Sequence, residues 1–492
     1  MKKTIIISIL ILVTLSACED FLVKNPADAV IADVAIESIE DAQIALHGVY
    51  AAFKSTGYYG RYFVANTDVQ TDQVQSVIGY SNQLGEHYKW SYLSDNGEIT
   101  GAWAAMYAVA VRASNIIDKL PELEGSVQDL EQIEGEARLA RAIAHFDLVK
   151  SFAKAYTLSS PETDLGVPIV QHFEIGQPER NTIQEVYDFI LDEAEQAGSL
   201  MTDHEAADNS SVFLTVATAD AFLARVNLYM GNWNDAVKYA TRVIDRSTVF
   251  SLAEDSASYA DMFLYDMGSE VIFRVGLTSS DYNGRYIGYN YYNKPQDTPN
   301  PDYIPAEWVM DMYSSTDYRL FVNFKNDYTT HGWEWPLIWK YPGNPAFYGQ
   351  SGSTTNANMY KMFRLPEMYL IRAEANAELG KDNLAIYDYN ELRRNRISGY
   401  EDETYTGPAL KDAIWLERQR ELCFEGHLFF DLKRKGLGFT RKPINHPVKG
   451  QITNPGPNQN ELSIKPDNNK WLWPIPDGEL RANENITPNP GY

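Results

Sequence analysis

The chain has 492 residues, of which 44% are hydrophobic and 22% charged, a soluble globular balance with ample core. Its formal charge of −25 excludes a nucleic-acid partner, whose phosphates need a basic face, and passive docking on anionic lipid. Two cysteines rule out a disulfide-stapled fold, and 13% aromatics, with 32 Tyr and 10 Trp, leave rings available for a surface.

In chain order, Lys2 and Lys3 precede an apolar run, Ile5 to Leu15, that is too short to span a bilayer. It ends in Leu15-Ser16-Ala17-Cys18, which resembles a lipobox. Residues 1–17 are therefore expected to be a lipoprotein signal peptide, with Cys18 lipidated and residues 18–38 a tether. The bland alternative is an ordinary secretory peptide that happens to contain a cysteine. Glu19 and Asp20 look like the surface-export signal of Bacteroidetes-type lipoproteins. With Cys18 acylated, Cys423 is the one remaining thiol, and burial is its expected role.

Ile39, Ala42, Leu46, Val49, Tyr50 and Phe53 recur on one helical face. Trp103 to Ile117, Ile133 to Ala155 and Ile183 to Ala194 predict further helices. Two segments share a finer pattern. Thr215–Met230, Gly231 and Trp233–Ile244 form one, and 364–396 with a break at Gly380 forms the other. Each has alanines, a glycine, and an alanine five residues later (Ala236 and Ala385), which resembles a degenerate tetratricopeptide repeat. Any helix hairpin could share that spacing. Val271 to Val275 reads as a short strand.

Two long stretches carry little helix signal but many rings. Residues 57–100 include Tyr58, Tyr59, Tyr62, Trp90 and Tyr92. Residues 277–360 include Tyr282, Tyr289, Tyr291, Trp333, Trp335, Trp339 and Tyr348. Loops this long and this aromatic read as functional rather than disordered.

The C-terminal third holds Phe363-Arg364-Leu365-Pro366-Glu367-Met368-Tyr369-Leu370-Ile371-Arg372-Ala373-Glu374-Ala375, then Asp388-Tyr389-Asn390-Glu391-Leu392-Arg393 with Arg396. Glu417-Arg418, Arg420-Glu421-Leu422, Phe424-Glu425-Gly426-His427 and Asp431-Leu432-Lys433-Arg434 follow, and the chain ends on Leu472-Trp473-Pro474-Ile475-Pro476 and Asn489-Pro490-Gly491-Tyr492. In this order the motifs resemble the SusD/RagB family of nutrient-binding outer-membrane lipoproteins. The resemblance implies a mostly α, SusD-like fold with tetratricopeptide-like hairpins, long irregular aromatic loops and minor β structure. It implies one domain over 39–492, with an N-terminal part (about 39–260), a central insert (about 277–360) and a C-terminal part (about 361–492). The implied partners are an oligo- or polysaccharide, a SusC-like TonB-dependent barrel, and the outer membrane through the N-terminal lipid.

A flat ring buries the C–H face of a sugar, while amide and carboxylate groups at the rim bond its hydroxyls. On that logic the expected ligand-binding residues are Trp90, Tyr92 and Asn96 from the first stretch, joined by Tyr289, Tyr291, Trp333 and Trp335. Asp68 and Asp72 are expected hydroxyl acceptors. The competing reading is that many of these rings only pack the loops. Glu417, Arg420, Glu421, Glu425, Asp431 and Arg434 are read as ion pairs that lock helices, and Trp103 and Trp415 as core. No histidine pair has helical zinc spacing, and no phosphate loop, GxSxG elbow or EF-hand loop occurs. No cofactor or metal is expected, and no catalytic residue. A surface glycosidase, or a structural or peptide-capturing partner of the barrel, are the alternatives.

Overall fold

The predicted amphipathic faces become the helix contacts. α1 (Ile39–Phe53) starts where Ser38 Oγ accepts from the Asp41 N–H at 3.1 Å, and it buries Ala42, Leu46, Val49 and Phe53. Each large apolar side chain so removed from water contributes about 1.5–3 kcal/mol. The structure is a computed structural model that describes residues 36–202, 212–278, 281, 286–292, 298–330, 332–347, 356–442, 453–454 and 462–492. The expected leader 1–17, Cys18, residues 18–35 of the tether, Tyr282 and Tyr348 lie outside the described residues.

The next helix, α2 (Tyr62–Val69), corrects the reading of 57–100 as poor in helix. Every residue from Phe63 to Val69 is buried, Asn66, Thr67 and Asp68 included, so the helix has no long solvent face and shows no amphipathic period. After it come α3 (Gly97–Lys119), α4 (Val127–Phe152) and α5 (Ile183–Leu200), which pack side by side. Thr182 and Glu185 close a capping box at the start of α5.

The repeat-like segments are helix hairpins. α6 (Val216–Met230) turns into α7 (Trp233–Ile244) through Gly231, and α8 (Leu365–Glu378) into α9 (Asp382–Arg394) through Gly380. Both glycines are left-handed, with φ of 76° and 70°, the conformation that reverses the chain at a helix end. α8 packs on α7 and on α10 (Gly407–Leu422), joining the two hairpins into one layer. The short α11 (Leu428–Arg434) follows, buried along its whole length.

Charged side chains bolt this layer to the central region from inside. Arg319 donates to Asp317 at 2.8 Å, Glu417 at 2.6 Å and Glu421 at 2.9 Å. Arg364 reaches Glu421 at 2.9 Å and Glu425 at 2.7 Å, and Arg396 reaches Glu270 at 2.6 Å and Glu421 at 3.0 Å. Arg420 pairs with Glu417, and Asp431 with Arg418 and Arg434. The three arginines around it hold the Glu421 carboxyl well below the usual carboxylate range, in spite of its burial. Cys423 is a buried free thiol, Trp103 is core, and Trp415 packs against the core from a half-buried position.

The β structure is minor and antiparallel. β1 (Val74–Val77) lies between β3 (Tyr303–Pro305) and β8 (Thr453–Asn454), and β2 (Val271–Arg274), the strand read at 271–275, pairs with β6 (Lys361–Arg364). β4 (Phe324–Tyr328) and β5 (Glu334–Ile338) form a hairpin, and β7 (Phe439–Arg441) pairs with β9 (Leu462–Ile464). The β1–β3 ladder, with Gln75 opposite Ile304 and Ser76 opposite Tyr303, brings the two aromatic stretches together.

Candidate functional site

Side chains extend that junction. Arg61 Nη2 donates to Asn290 Oδ1 at 2.7 Å, and the Tyr303 hydroxyl donates to the Gln83 carbonyl at 2.6 Å. Asp302 accepts from the Ser81 N–H at 2.7 Å and from its hydroxyl at 2.8 Å. Trp308 Nε1 donates to the Asp72 carbonyl at 2.9 Å. Each bond crosses more than two hundred residues of sequence, so the two stretches form one surface region.

Most of the rings expected to face a ligand are instead what holds this region together. Trp90 is buried, edge-on to Trp471 at 4.9 Å, and its Nε1 donates to the Gln70 carbonyl at 2.8 Å. Tyr92 is fully buried, accepts from Gln70 Nε2 at 3.0 Å and donates to the Lys470 carbonyl. Tyr291 is fully buried and donates to Asp68 Oδ2 at 3.0 Å. Asp68 also accepts from the Gly426 N–H at 2.9 Å and Gln73 Nε2 at 3.0 Å, and burial still pushes its carboxyl up to about 7. Trp335 is buried in a small apolar cluster with Val77, Tyr292, Ile304 and Leu337. Trp90, Tyr92, Tyr291, Trp335 and Asp68 are therefore interior residues, which corrects their assignment to a binding face. For Trp90, Tyr92 and Tyr291 the physical reason is the same: indole and phenol rings bury well once the polar tip has a partner. Asp72 is half-buried, and burial raises its carboxyl to about 6 against the pull of Arg441.

Other rings remain at the rim. Tyr80, Trp333 and Trp339, from both stretches, pack half-buried around the Trp335 cluster. Tyr62 and Tyr289, again one from each stretch, lie at 5.1 and 5.0 Å from the buried Arg61 guanidinium. Of the expected residues, then, Tyr289 and Trp333 keep an accessible edge, and Tyr62, Tyr80 and Trp339 join them. The signal for Tyr80 was available: it sits in Gly79-Tyr80-Ser81-Asn82, a run of turn formers that keeps the chain at the surface and its ring at the edge of the core.

A cleft of about 360 Å³ adjoins this rim, lined by Asn82, Leu84, Gly85, Glu86, His87, Asp95, Asn96, Gly97 and Glu98. Asn82 links the two: its Oδ1 accepts from the Tyr80 hydroxyl at 3.0 Å and from Lys89 Nζ at 3.1 Å. Asn96 caps α3, its Oδ1 accepting from the Ile99 N–H at 3.0 Å while Nδ2 donates to Glu86 at 2.6 Å. Its role as a cap is therefore structural, and only its position on the wall faces the cleft. Asn82, Leu84 and Trp90 all have positive φ, of 62°, 57° and 55°. Non-glycine residues in that region cost on the order of 1–3 kcal/mol each, and such strain clusters where a surface is held for function.

Among the described residues no group of His, Cys, Asp and Glu could hold a metal ion. The one carboxyl of this junction that burial raises to about 7, Asp68, is sealed inside with its oxygens occupied, so it cannot reach a glycosidic oxygen as a general acid.

A mostly helical frame with repeat-like hairpins, carrying a ring-lined surface built from two distant stretches, defines a SusD-like fold. Residues 286–492 match the SusD family, and residues 20–228 match a family described as starch-binding and associating with the outer membrane. The chain is 25% identical to a SusD-like protein of Formosa agariphila, over 100% of both. A SusD superfamily protein from Bacteroides thetaiotaomicron VPI-5482 superposes with a TM-score of 0.79 at 26% identity, covering 92% of this chain and 100% of that one. A laminarin-binding SusD-like protein, 18% identical, shares the fold with a TM-score of 0.72 over 93% of this chain and 100% of its own. The chain belongs to the SusD/RagB family.

Proposed function

We propose that this protein captures a glycan at the outer membrane, without covalent chemistry, and delivers it to a SusC-like TonB-dependent transporter. The observation that carries the reading is the convergence of half-buried rings from both stretches, Tyr62 and Tyr80 with Tyr289, Trp333 and Trp339. Sugars present C–H faces to such rings, and Asn82, Gln83 and Lys89 stand beside them as hydroxyl partners. The starch-binding description of the N-terminal match and the laminarin-binding relative support a carbohydrate over a peptide. Cys18 is the proposed lipid attachment, and the outer-membrane association of the matched family agrees with it. Affinity electrophoresis against starch, laminarin and a wider polysaccharide panel tests capture. Retarded migration without release of new reducing ends is the expected result; turnover of the glycan would instead make the protein a glycosidase. Co-purification with the barrel encoded in the same cell tests delivery.

A further inference from the structure

A closed circuit of hydrogen bonds runs beneath the rim, with Arg61 in it. It starts at the turn 81–83, where Ser81 donates to Asp302 through both its N–H and its hydroxyl. Asp302 Oδ2 also accepts from Asn290 Nδ2 at 3.1 Å. Asn290 Oδ1 in turn accepts from Arg61 Nε at 3.2 Å and from Nη2 at 2.7 Å. Nη2 donates as well to Gln83 Oε1, back on the turn where the circuit began. Arg61 is buried, whereas Gln83 and the two rings over which the guanidinium lies, Tyr62 and Tyr289, are half-buried. It therefore meets both rings from the interior. A guanidinium has donors only, so each amide must turn its oxygen toward it. The half of the Gln83 amide that Arg61 does not hold is Nε2, a donor.

We infer that Arg61 is a positioning residue for glycan capture, an inference that rests on the function proposed above. It holds Tyr62 and Tyr289 as one platform and turns the Gln83 amide so that Nε2 meets an acceptor oxygen of the sugar. The planar fork suits this role, because it can lie against rings while its in-plane N–H groups bond amides at its edge. An ammonium is a point charge and cannot do both. Tyr62 and Tyr289 come from different stretches, and the circuit fixes their relative placement before a ligand arrives. Order established in advance is order that binding need not create.

The test is calorimetry of the purified full chain, with the tightest-bound of laminarin, soluble starch, xylan and pectic galactan as the probe. Arg61→Lys keeps the charge and removes the fork, and it should weaken binding about tenfold. A double-mutant cycle separates positioning from general support. Tyr289→Ala, expected to weaken binding about tenfold in the wild type, should weaken it less than about threefold once residue 61 is lysine, since the ring is already misplaced. Trp333→Ala removes a rim ring that packs on the Trp335 cluster instead, and its effect should be the same in both backgrounds. Wild-type affinity in Arg61→Lys, or an undiminished Tyr289→Ala effect there, would overturn the inference while leaving glycan capture intact. Loss of the Trp333→Ala effect as well would make Arg61 a support of the whole fold and would overturn it too. Should Arg61→Lys not fold, the cycle of Tyr62→Ala with Tyr289→Ala decides: the pair should fall short of additivity by about threefold or more, and strict additivity refutes the inference. Absence of binding by every probe would remove the capture function and the inference together.

Discussion

The Tyr291 hydroxyl donates to Asp68 Oδ2 across 3.0 Å, joining side chains 223 residues apart inside the junction of the two aromatic stretches. That bond turns two residues expected to touch ligand into a buried rivet, and it has a pH signature.

Burial raises the Asp68 carboxyl to about 7, from 3.8 in an open environment. Between about pH 4 and 7 the folded state keeps this proton and the unfolded chain does not. The contribution of Asp68 to stability is therefore fully present below pH 4 and is lost as pH rises through 7, by about 4 kcal/mol at most. His87 and His145, pushed down to about 3 and 4 by burial, act in the opposite sense over part of this range. The comparison with Asp68→Asn isolates the group: wild-type stability minus variant stability should fall across pH 4–7. A denaturant series at each pH checks it, and a flat difference would refute it.

Rim and interior rings should part company under mutation. Tyr289→Ala or Trp333→Ala should weaken glycan binding about tenfold, as loss of an aromatic contact near the centre of a site does, with little change in stability. Trp90→Ala should instead cost about 3–5 kcal/mol of stability, because it leaves a cavity beside Trp471 and orphans the Gln70 carbonyl. Calorimetry beside thermal unfolding separates the two classes, and weaker binding by a stable Trp90→Ala protein would restore that residue to the site.

Asn82 can be displaced without touching it. A Cβ at Gly85 would lie 2.3 Å from Asn82 Oδ1 and 3.1 Å from the Tyr80 hydroxyl. Gly85→Ala should therefore push the Asn82 carboxamide off its place and weaken glycan binding several-fold. Asn82 is exposed and can swing toward water, so the unfolding midpoint should hardly move. Binding isotherms of this variant beside its melting curve read both effects.

Inside the ion network, Arg319→Met should be severe. It strips the guanidinium from Asp317, Glu417 and Glu421 and leaves three buried carboxylates with less compensation, at a cost of about 3–5 kcal/mol. Arg394→Gln, which breaks the exposed pair with Asp402, should leave chemical denaturation nearly unchanged. Equal effects of the two variants would argue against the buried network as the bolt between the helix layer and the central region.

The helical frame was legible because its physics is local. Apolar residues at helical spacing, and Gly231 and Gly380 at the hairpin turns, act within a few residues of themselves. The buried ion pairs of Glu417 and Glu421 were legible in kind, since charges on an apolar helix face need partners, although Arg319 and Arg364 as those partners were not. α2 escaped detection because a helix buried all round carries no alternation to read.

The site divides along the same line. Residue type established that this chain has rings to spare and two stretches in which to place them, and the ordered C-terminal motifs established its kinship. Which rings reach solvent was decided by the antiparallel meeting of β1 and β3, a contact across more than two hundred residues. At that junction Tyr291 is sealed inside against Asp68, Tyr341 and Phe424, while Tyr289, two positions earlier, stays at the rim. Exposure of a side chain is a property of what packs above it, and no stretch of sequence carries that information about its distant neighbours.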